Sequence, residues 1–259
     1  MTRSLLTIML CLALSATGIS SGAMRFDEVD DYIEIAGDDS IQLTDKFSIG
    51  MWFKPNTLSS SNDYLLSKSY TTNGVGDSYA FLWEYVDDNV EFYADKYTGD
   101  NPRTGSSMPI SSAEWHYIIY TYDKSQTTFS GYVDGVQVFS NTSKDFILLE
   151  DSNPLRIGAR PEAGTTHFNG SIDEVLIYND ALTASEIQAM YASGGAWYPK
   201  DGLVSRWSME NNGVSTGQAH ANGSTINDSF GSNDGTVNDG ADSSMTLESS
   251  PVRQKRGRR

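Results

Sequence analysis

Several carboxylates of this chain stand at spacings that could do chemistry. Glu28, Asp30 and Glu34 read E-x-D-x-x-x-E, close to the carboxylate cluster with which some sugar-cleaving β-strands place acid, helper and nucleophile on one face. The third position is spaced too widely for that arrangement. A retaining pair must be held about 5 Å apart, and nothing in this segment secures such a geometry. Gly213-Val214-Ser215-Thr216-Gly217 spells G-x-S-x-G, but a nucleophile elbow needs a buried strand before it and a helix after it. Asn211-Asn212 precedes this copy and QAHANGST follows, so the match is a coincidence. His116 stands in a strand-like apolar run as a structural histidine. His167 and His220 have no second His at metal-ligand spacing.

A second set suits binding rather than cleavage. SYAFLWEYV and VEFYADKY flank Asp87-Asp88-Asn89 and read as a hairpin. A two-residue turn at Asp87-Asp88 pairs Tyr85 with Val90, Trp83 with Phe92 and Phe81 with Ala94, a core face. The opposite face then carries Glu84, Glu91, Tyr93, Asp95 and Tyr97. Sugars stack their C–H faces on rings and donate hydroxyl hydrogens to carboxylates, so Tyr93, Tyr97, Glu84 and Asp95 are candidate glycan ligands. The same residues also make an ordinary solvated sheet face.

Asp173 poses a different question. Residues 172–178 alternate, which puts Asp173 with Val175 and Ile177 on the face expected to turn inward. A carboxylate there must be hydrogen-bonded to backbone N–H groups or coordinate a cation.

The positioning elements are short strands between turn clusters, the pattern of an all-β sandwich. In FSIGMWF, residues Phe47, Ile49, Met51 and Phe53 share a face, and Asp134-Gly135 is a hairpin turn whose two positions both need positive φ. After the turn at Asn179-Asp180, Thr183 and Glu186 form a capping box at the start of a helix that Gly194-Gly195 ends. Ile187, Met190 and Tyr191 give that helix a narrow apolar stripe able to lie on a sheet edge.

Four segments together carry a family resemblance. MRFDEVDDYIEI (24–35), FSIGMWFKP (47–55), the pair EWHYIIYTYD (114–123) with YVDGVQV (132–138), and FNGSIDEVLIYNDALTASEI (168–187) occur in one order. The chain resembles laminin-G-like domains, which are related to concanavalin A-like lectins and glucanases and to pentraxins. The resemblance implies an antiparallel two-sheet jelly-roll sandwich with one short C-terminal helix. It makes 24–35 the opening strand, which accounts for Glu28, Asp30 and Glu34 without catalysis. First and last strands adjoin in this fold, so Asp30 and Asp31 become the expected neighbours of Asp173. Many members hold calcium, so Ca2+ bound by Asp30, Asp31 and Asp173 is the cofactor expectation.

Composition bounds the rest. Residues 1–23 are an Arg, an apolar run and small residues ending at Ala23, a secretory signal peptide with cleavage expected after Ala23. The run is too short for a membrane span, and it contains Cys11, the one cysteine, so the mature protein has neither disulfide nor thiolate chemistry. Residues 24–252 hold all 34 acidic residues but only 12 of the 18 Lys and Arg, leaving the body near −22. That charge excludes nucleic-acid binding, which needs a cationic surface, and disfavours anionic polysaccharides unless a cation bridges them. It suits solubility or calcium binding. Sequons stand at Asn141, Asn169, Asn222 and Asn227.

The expected layout is a laminin-G-like domain at 24–195, a partial second repeat or fold-back strand plus polar segment at 196–252, and a basic tail at 253–259. GLVSRWSMEN (202–211) resembles the strand that precedes the opening strand in the family, here displaced to follow the domain. It either folds back to complete the first sandwich or opens a second one, and 55 mostly polar residues cannot build a second alone. If it folds back, Leu203, Ser205, Trp207 and Met209 form its inward face. The functional expectation is a secreted or cell-surface, non-enzymatic module that binds a glycan or an extracellular glycoprotein, with a role in adhesion. A structural spacer within a larger surface protein is the alternative, and a glycosidase or lyase of the same fold a more distant one.

Overall fold

The computed structural model describes residues 22–56, 63–68, 78–84, 89–93, 108–110, 113–143, 152–160, 166–209, 217–240 and 245–250. The first half of the chain supplies β1 (Gly22–Asp27), β2 (Tyr32–Ile35), β3 (Lys46–Pro55), β4 (Asp63–Lys68), β5 (Tyr79–Glu84), β6 (Asn89–Tyr93), β7 (Met108–Pro109) and β8 (His116–Asp123). The second half supplies β9 (Thr128–Val133), β10 (Val136–Asn141), β11 (Leu155–Ile157), β12 (Asn169–Tyr178), helix α1 (Ala184–Ser193), β13 (Leu203–Trp207), β14 (Thr225–Ile226), β15 (Gly235–Asn238) and β16 (Thr246–Ser249).

The strands form two antiparallel sheets, a jelly-roll sandwich. The first runs β10-β9-β8-β3-β12-β1-β16, with β13 also paired to β12. The second runs β14-β15-β2-β11-β4-β5-β6-β7. Alternation drives the assembly: Phe47, Ile49, Met51 and Phe53 of β3 turn inward and are fully buried. Tyr120 of β8 stacks on Phe81 of β5, with ring centroids 5.1 Å apart, and its hydroxyl donates to the Val90 carbonyl at 2.8 Å. One residue thus ties the two layers by both apolar contact and a hydrogen bond.

The hairpin of β5 and β6 has a different register from the two-residue turn expected at Asp87-Asp88. Phe81 pairs with Phe92, Trp83 with Val90 and Glu84 with Asn89, so the connection spans four residues. The shift is by two positions, which preserves side-chain parity. Phe81, Trp83, Val90 and Phe92 accordingly all lie in the core.

Helix α1 begins with the expected capping box, Thr183 Oγ1 accepting from Glu186 N and Glu186 accepting from Thr183 N, and ends at left-handed Gly194. Ile187 and Met190 lie not on a sheet edge but across the outer face of the first sheet, against Trp52, Tyr117, Leu176 and Tyr178. The Asp134-Gly135 turn has φ of 52° and 78°, and Gly135 packs beneath Tyr191 of the helix.

Strand β12 departs from strict alternation. Its pairing with β3 slips between Asp173 and Leu176, and Glu174 has φ of 51°. This is a β-bulge, with one extra residue that re-phases the strand. Ile172 faces the core before it, and Val175 and Ile177 face the core after it. Asp173, opposite Trp52, lies on the outer face. The inward parity expected for Asp173 is therefore incorrect. Its carboxylate is buried and is satisfied by Ser250 Oγ and the Glu174 backbone N–H.

Glu174 in turn receives Arg206 of β13 through Nε at 2.7 Å and Nη2 at 2.5 Å. The segment that carries β13 folds back onto β12 and pairs with it antiparallel. Trp207 and Met209 enter the core as expected, whereas a register slip places Leu203 on the outer face under the helix. The following polar segment also builds strands. β15 pairs with β2 and β16 with β1, adding Ile226, Val237, Met245 and Leu247 to the core. Asp228 fastens the loop between β14 and β15 by accepting backbone N–H bonds from Arg206, Phe230, Gly231 and Asn233. β1 starts at Gly22, whose partner is Ser249, so cleavage after Ala23 would remove two rungs.

Removing one member of a buried ion pair typically costs about 3–5 kcal/mol, whereas replacing both by apolar residues is often near neutral. Glu174→Ala is thus expected to lower unfolding free energy by about 3–5 kcal/mol in urea denaturation. The Glu174→Leu/Arg206→Met double variant should lose far less. A double variant that loses as much as Glu174→Ala would show that the unpaired buried Arg206 is not what costs stability.

Candidate functional site

Asp27, Asp30 and Asp31 converge at the turn between β1 and β2. Each offers a carboxylate oxygen within 4.8 Å of the other two. The turn is shaped by its own side chains. Asp27 Oδ1 accepts from Val29 N at 2.8 Å, and Asp31 Oδ2 accepts from Asp27 N at 3.1 Å. Glu28 has φ of 74° and is held by Asn169 Nδ2 at 2.9 Å. Asp31 is fully buried. Asp30 packs so tightly on Gly240 that a Cβ there would lie 1.6 Å from Asp30 Oδ2. Asp30 Oδ1 is buried with no hydrogen-bond partner among the described residues.

The two described cationic side chains nearest in the electrostatics, His167 and Arg156, are not paired with the trio. His167 is held below its ordinary pKa, because burial outweighs the attraction of Asp30 and Asp27 and Arg156 adds repulsion. It is therefore neutral at physiological pH. Arg156 is committed to Glu34, 2.8 Å away, and its guanidinium lies 4.1 Å from the Tyr32 ring centroid. Three carboxylates with an orphaned buried oxygen fit a hard cation, which takes several oxygen ligands at flexible geometry.

Of the residues expected to bind metal, the structure brings Asp30 and Asp31 together and adds Asp27. It does not bring Asp173. β1 does adjoin β12 as expected, but Asp27 pairs with Asn169. Asp173 is four residues farther along, roughly 13 Å at about 3.3 Å per residue. Asp27 was legible in the sequence only as one more acid in FDEVDD, since its part depends on the turn. Of the possible catalytic set, Glu28 is held by Asn169 and Glu34 by Arg156, while Asp30 lies in the aspartate trio.

The expected glycan ligands are described only in part. Tyr97 and Asp95 lie outside the described residues, and Tyr93 is placed by its backbone, paired with Ala80. Glu84 is half-buried at the end of β5. The outer face of this sheet is not open throughout, because Ser67, Ala80 and Leu82 on it are buried. His116 is structural as expected: its Nδ1 lies 2.9 Å from Asp134 Oδ2, while Asp134 Oδ1 accepts from Tyr117 N. Asn169 likewise is occupied, bonding Asn56 and Glu28.

Comparison with known proteins agrees with this architecture. A family described as the concanavalin A-like lectin/glucanases superfamily, of laminin-G type, matches residues 27–188, and the chain belongs to it. The structure is similar to that of a protein from Bacteroides ovatus named provisionally as carbohydrate binding, at TM-score 0.64 and 17% identity, covering 89% of this chain and 60% of that one. It is also similar to the heptameric SAP-like pentraxin of Limulus polyphemus, at TM-score 0.60 and 12% identity, covering 92% and 99% of the two chains. Sialidase B of Streptococcus pneumoniae is 30% identical over 78 residues, which are 28% of this chain and 11% of the sialidase. The chain thus spans about a tenth of that curated relative. Among the described residues, no helix is long and apolar enough to cross a membrane.

A pH dependence follows from the buried histidines. Burial lowers the pKa of His220, which is 1% exposed, only partly opposed by Asp239. In the unfolded chain a histidine titrates near 6.5, so below that pH the unfolded state binds more protons than the folded one. The stability these histidines allow is complete above about pH 6.5 and is lost on acidification. Melting temperature should fall between pH 7.5 and 5.5, and less steeply in His220→Gln. Parallel slopes in the two proteins would contradict the assignment to His220.

Proposed function

We propose that this chain is an exported, non-catalytic carbohydrate-binding module whose acidic corner holds calcium. The observation that carries the reading is the membership of residues 27–188 in a lectin and glucanase superfamily. The similarity to the Bacteroides ovatus protein supports the same reading. So does the engagement of Glu28 by Asn169 and of Glu34 by Arg156, which commits both carboxylates to structural contacts. The apolar run and small residues of 1–23 support export.

Asp27, Asp30 and Asp31 would be the calcium ligands. A bound ion would offset their mutual repulsion and brace the turn between the two sheets, with Gly240 packed behind it. The strongly acidic body would hold calcium readily and would repel uncompensated anionic polymers.

Two experiments test these points. A printed glycan array probed with the mature chain, with calcium and then with chelator, should show saccharide binding. A blank array under both conditions would leave the chain a structural spacer. Saturating a single site with ion at about 100 times its Kd stabilises by about 2.7 kcal/mol. For a domain of this size that raises the melting temperature by roughly 5–10 °C. Asp30→Asn should abolish that response and Asp173→Asn should retain it, whereas a melting temperature indifferent to calcium would sink the metal proposal.

A further inference from the structure

The outer face of the first sheet changes character along its strands. Beneath α1 it is apolar, with Trp52, Tyr117, Ile119 and Leu176 buried by the helix. Past the N-terminus of α1 the same face bears hydroxyl and amide groups: Thr121, Thr128, Ser130, Gln137 and Ser140, with Tyr132 at the junction. These residues floor a groove of about 300 Å³ walled by residues 181–184, the turn that enters the helix. The volume is at the lower end for small-ligand sites.

Two groups in the groove are unusual. Thr121 and Tyr132 are only 7% and 6% exposed, and neither hydroxyl has a hydrogen-bond partner among the described residues, yet neither oxygen is enclosed, so both open on the groove. A hydroxyl that opens on a groove and bonds nothing in the protein takes a partner from solvent or from a ligand. Both side chains line the groove, where a bound molecule can supply it. Burial pushes the Tyr132 phenol above its ordinary pKa, so it remains a donor. Beside them, Ser130 Oγ donates to Ser140 Oγ at 3.0 Å, leaving the Ser140 proton available. Gln137 is exposed and adds an amide.

The electrostatics select the ligand. Asp123 lines the groove and is tied to Lys46 at 3.2 Å, so that cation is already compensated. The helix N-terminus offers no free anion site, because Thr183 and Glu186 cap it and Glu186 brings a further carboxylate. Among the described residues that line the groove, none carries a positive charge for a sulfate, uronate or sialate.

We propose that this groove is the chain's sugar site and that it takes a neutral saccharide, hydrogen-bonded by Thr121, Tyr132 and Gln137 with a C–H face against Ala181 and Leu182. The proposal rests on the carbohydrate-binding reading and gives it a location apart from the acidic corner, which contributes no residue to the groove.

The test uses an array carrying neutral, sialylated and uronate glycans, probed in calcium with the mature chain, with Thr121→Val/Tyr132→Phe and with Gln137→Ala. The double variant keeps side-chain volume, and Gln137 is exposed enough that its loss leaves folding intact. The mature chain should prefer neutral glycans. Gln137→Ala should weaken that binding roughly tenfold and the double variant more, at about one hydrogen bond per lost group. Full-affinity binding by both variants would overturn the groove while leaving glycan binding in place. A preference for sialylated or uronate glycans would overturn the neutral class. An array blank for every protein would remove the carbohydrate reading itself.

Discussion

The left-handed backbone at Glu174 is the constraint on which the rest of the sandwich depends. One extra residue in β12 inverts the phase of the strand, so that Ile172 and Val175 can both face the core. A non-glycine residue at positive φ is costly, and here the cost is offset by what the bulge positions. Glu174 meets Arg206 and fixes β13 against β12. Asp173, turned outward by the same bulge, receives Ser250 beyond the end of β16. The closing segment is thus tied to the middle strand at both its beginning and its end.

That closure sets the stage for function. β13 and β1 lie along the same side of β12, and β15 extends the second sheet beside β2, with β14 outside it. The turn joining β1 to β2 is consequently clamped between strands drawn from the two ends of the chain. Its three carboxylates are held close because the chain cannot spread there. The groove beside α1 has a comparable origin. A ten-residue helix covers only part of the outer face, and the remainder of that face is polar where the helix stops.

Much of the fold was legible in the sequence because it rests on local signals. Thr183 and Glu186 announce a helix start, Asp134-Gly135 a tight hairpin, and the alternation of 47–53 a half-buried strand. Features set by tertiary pairing were not. Nothing in SIDEVLIY marks Glu174 as a bulge, since glycine would be the usual sign of positive φ, so strict alternation turned Asp173 the wrong way. The polar segment 217–250 hides the strands β14, β15 and β16 because the apolar residues it gives the core, Ile226, Val237, Met245 and Leu247, are few and fill gaps in a core built by others. The register of β5 and β6 differs by two because acidic turn residues permit more than one loop length. At the acidic corner Asp30 and Asp31 were legible and Asp27 was not, since a shared turn and not a spacing brings them together. The groove could not be read at all, because it draws on β8, β9, β10 and the helix entrance.

Amide and tyrosine-ring chemical-shift mapping is the most direct measurement of the central claim, that this sandwich presents a saccharide site on its first sheet. The mature chain in calcium would be titrated with a neutral oligosaccharide. The account predicts saturable shifts at Thr121, Tyr132, Gln137 and residues 181–184. Shifts confined to the second sheet, or none at millimolar sugar, would contradict it.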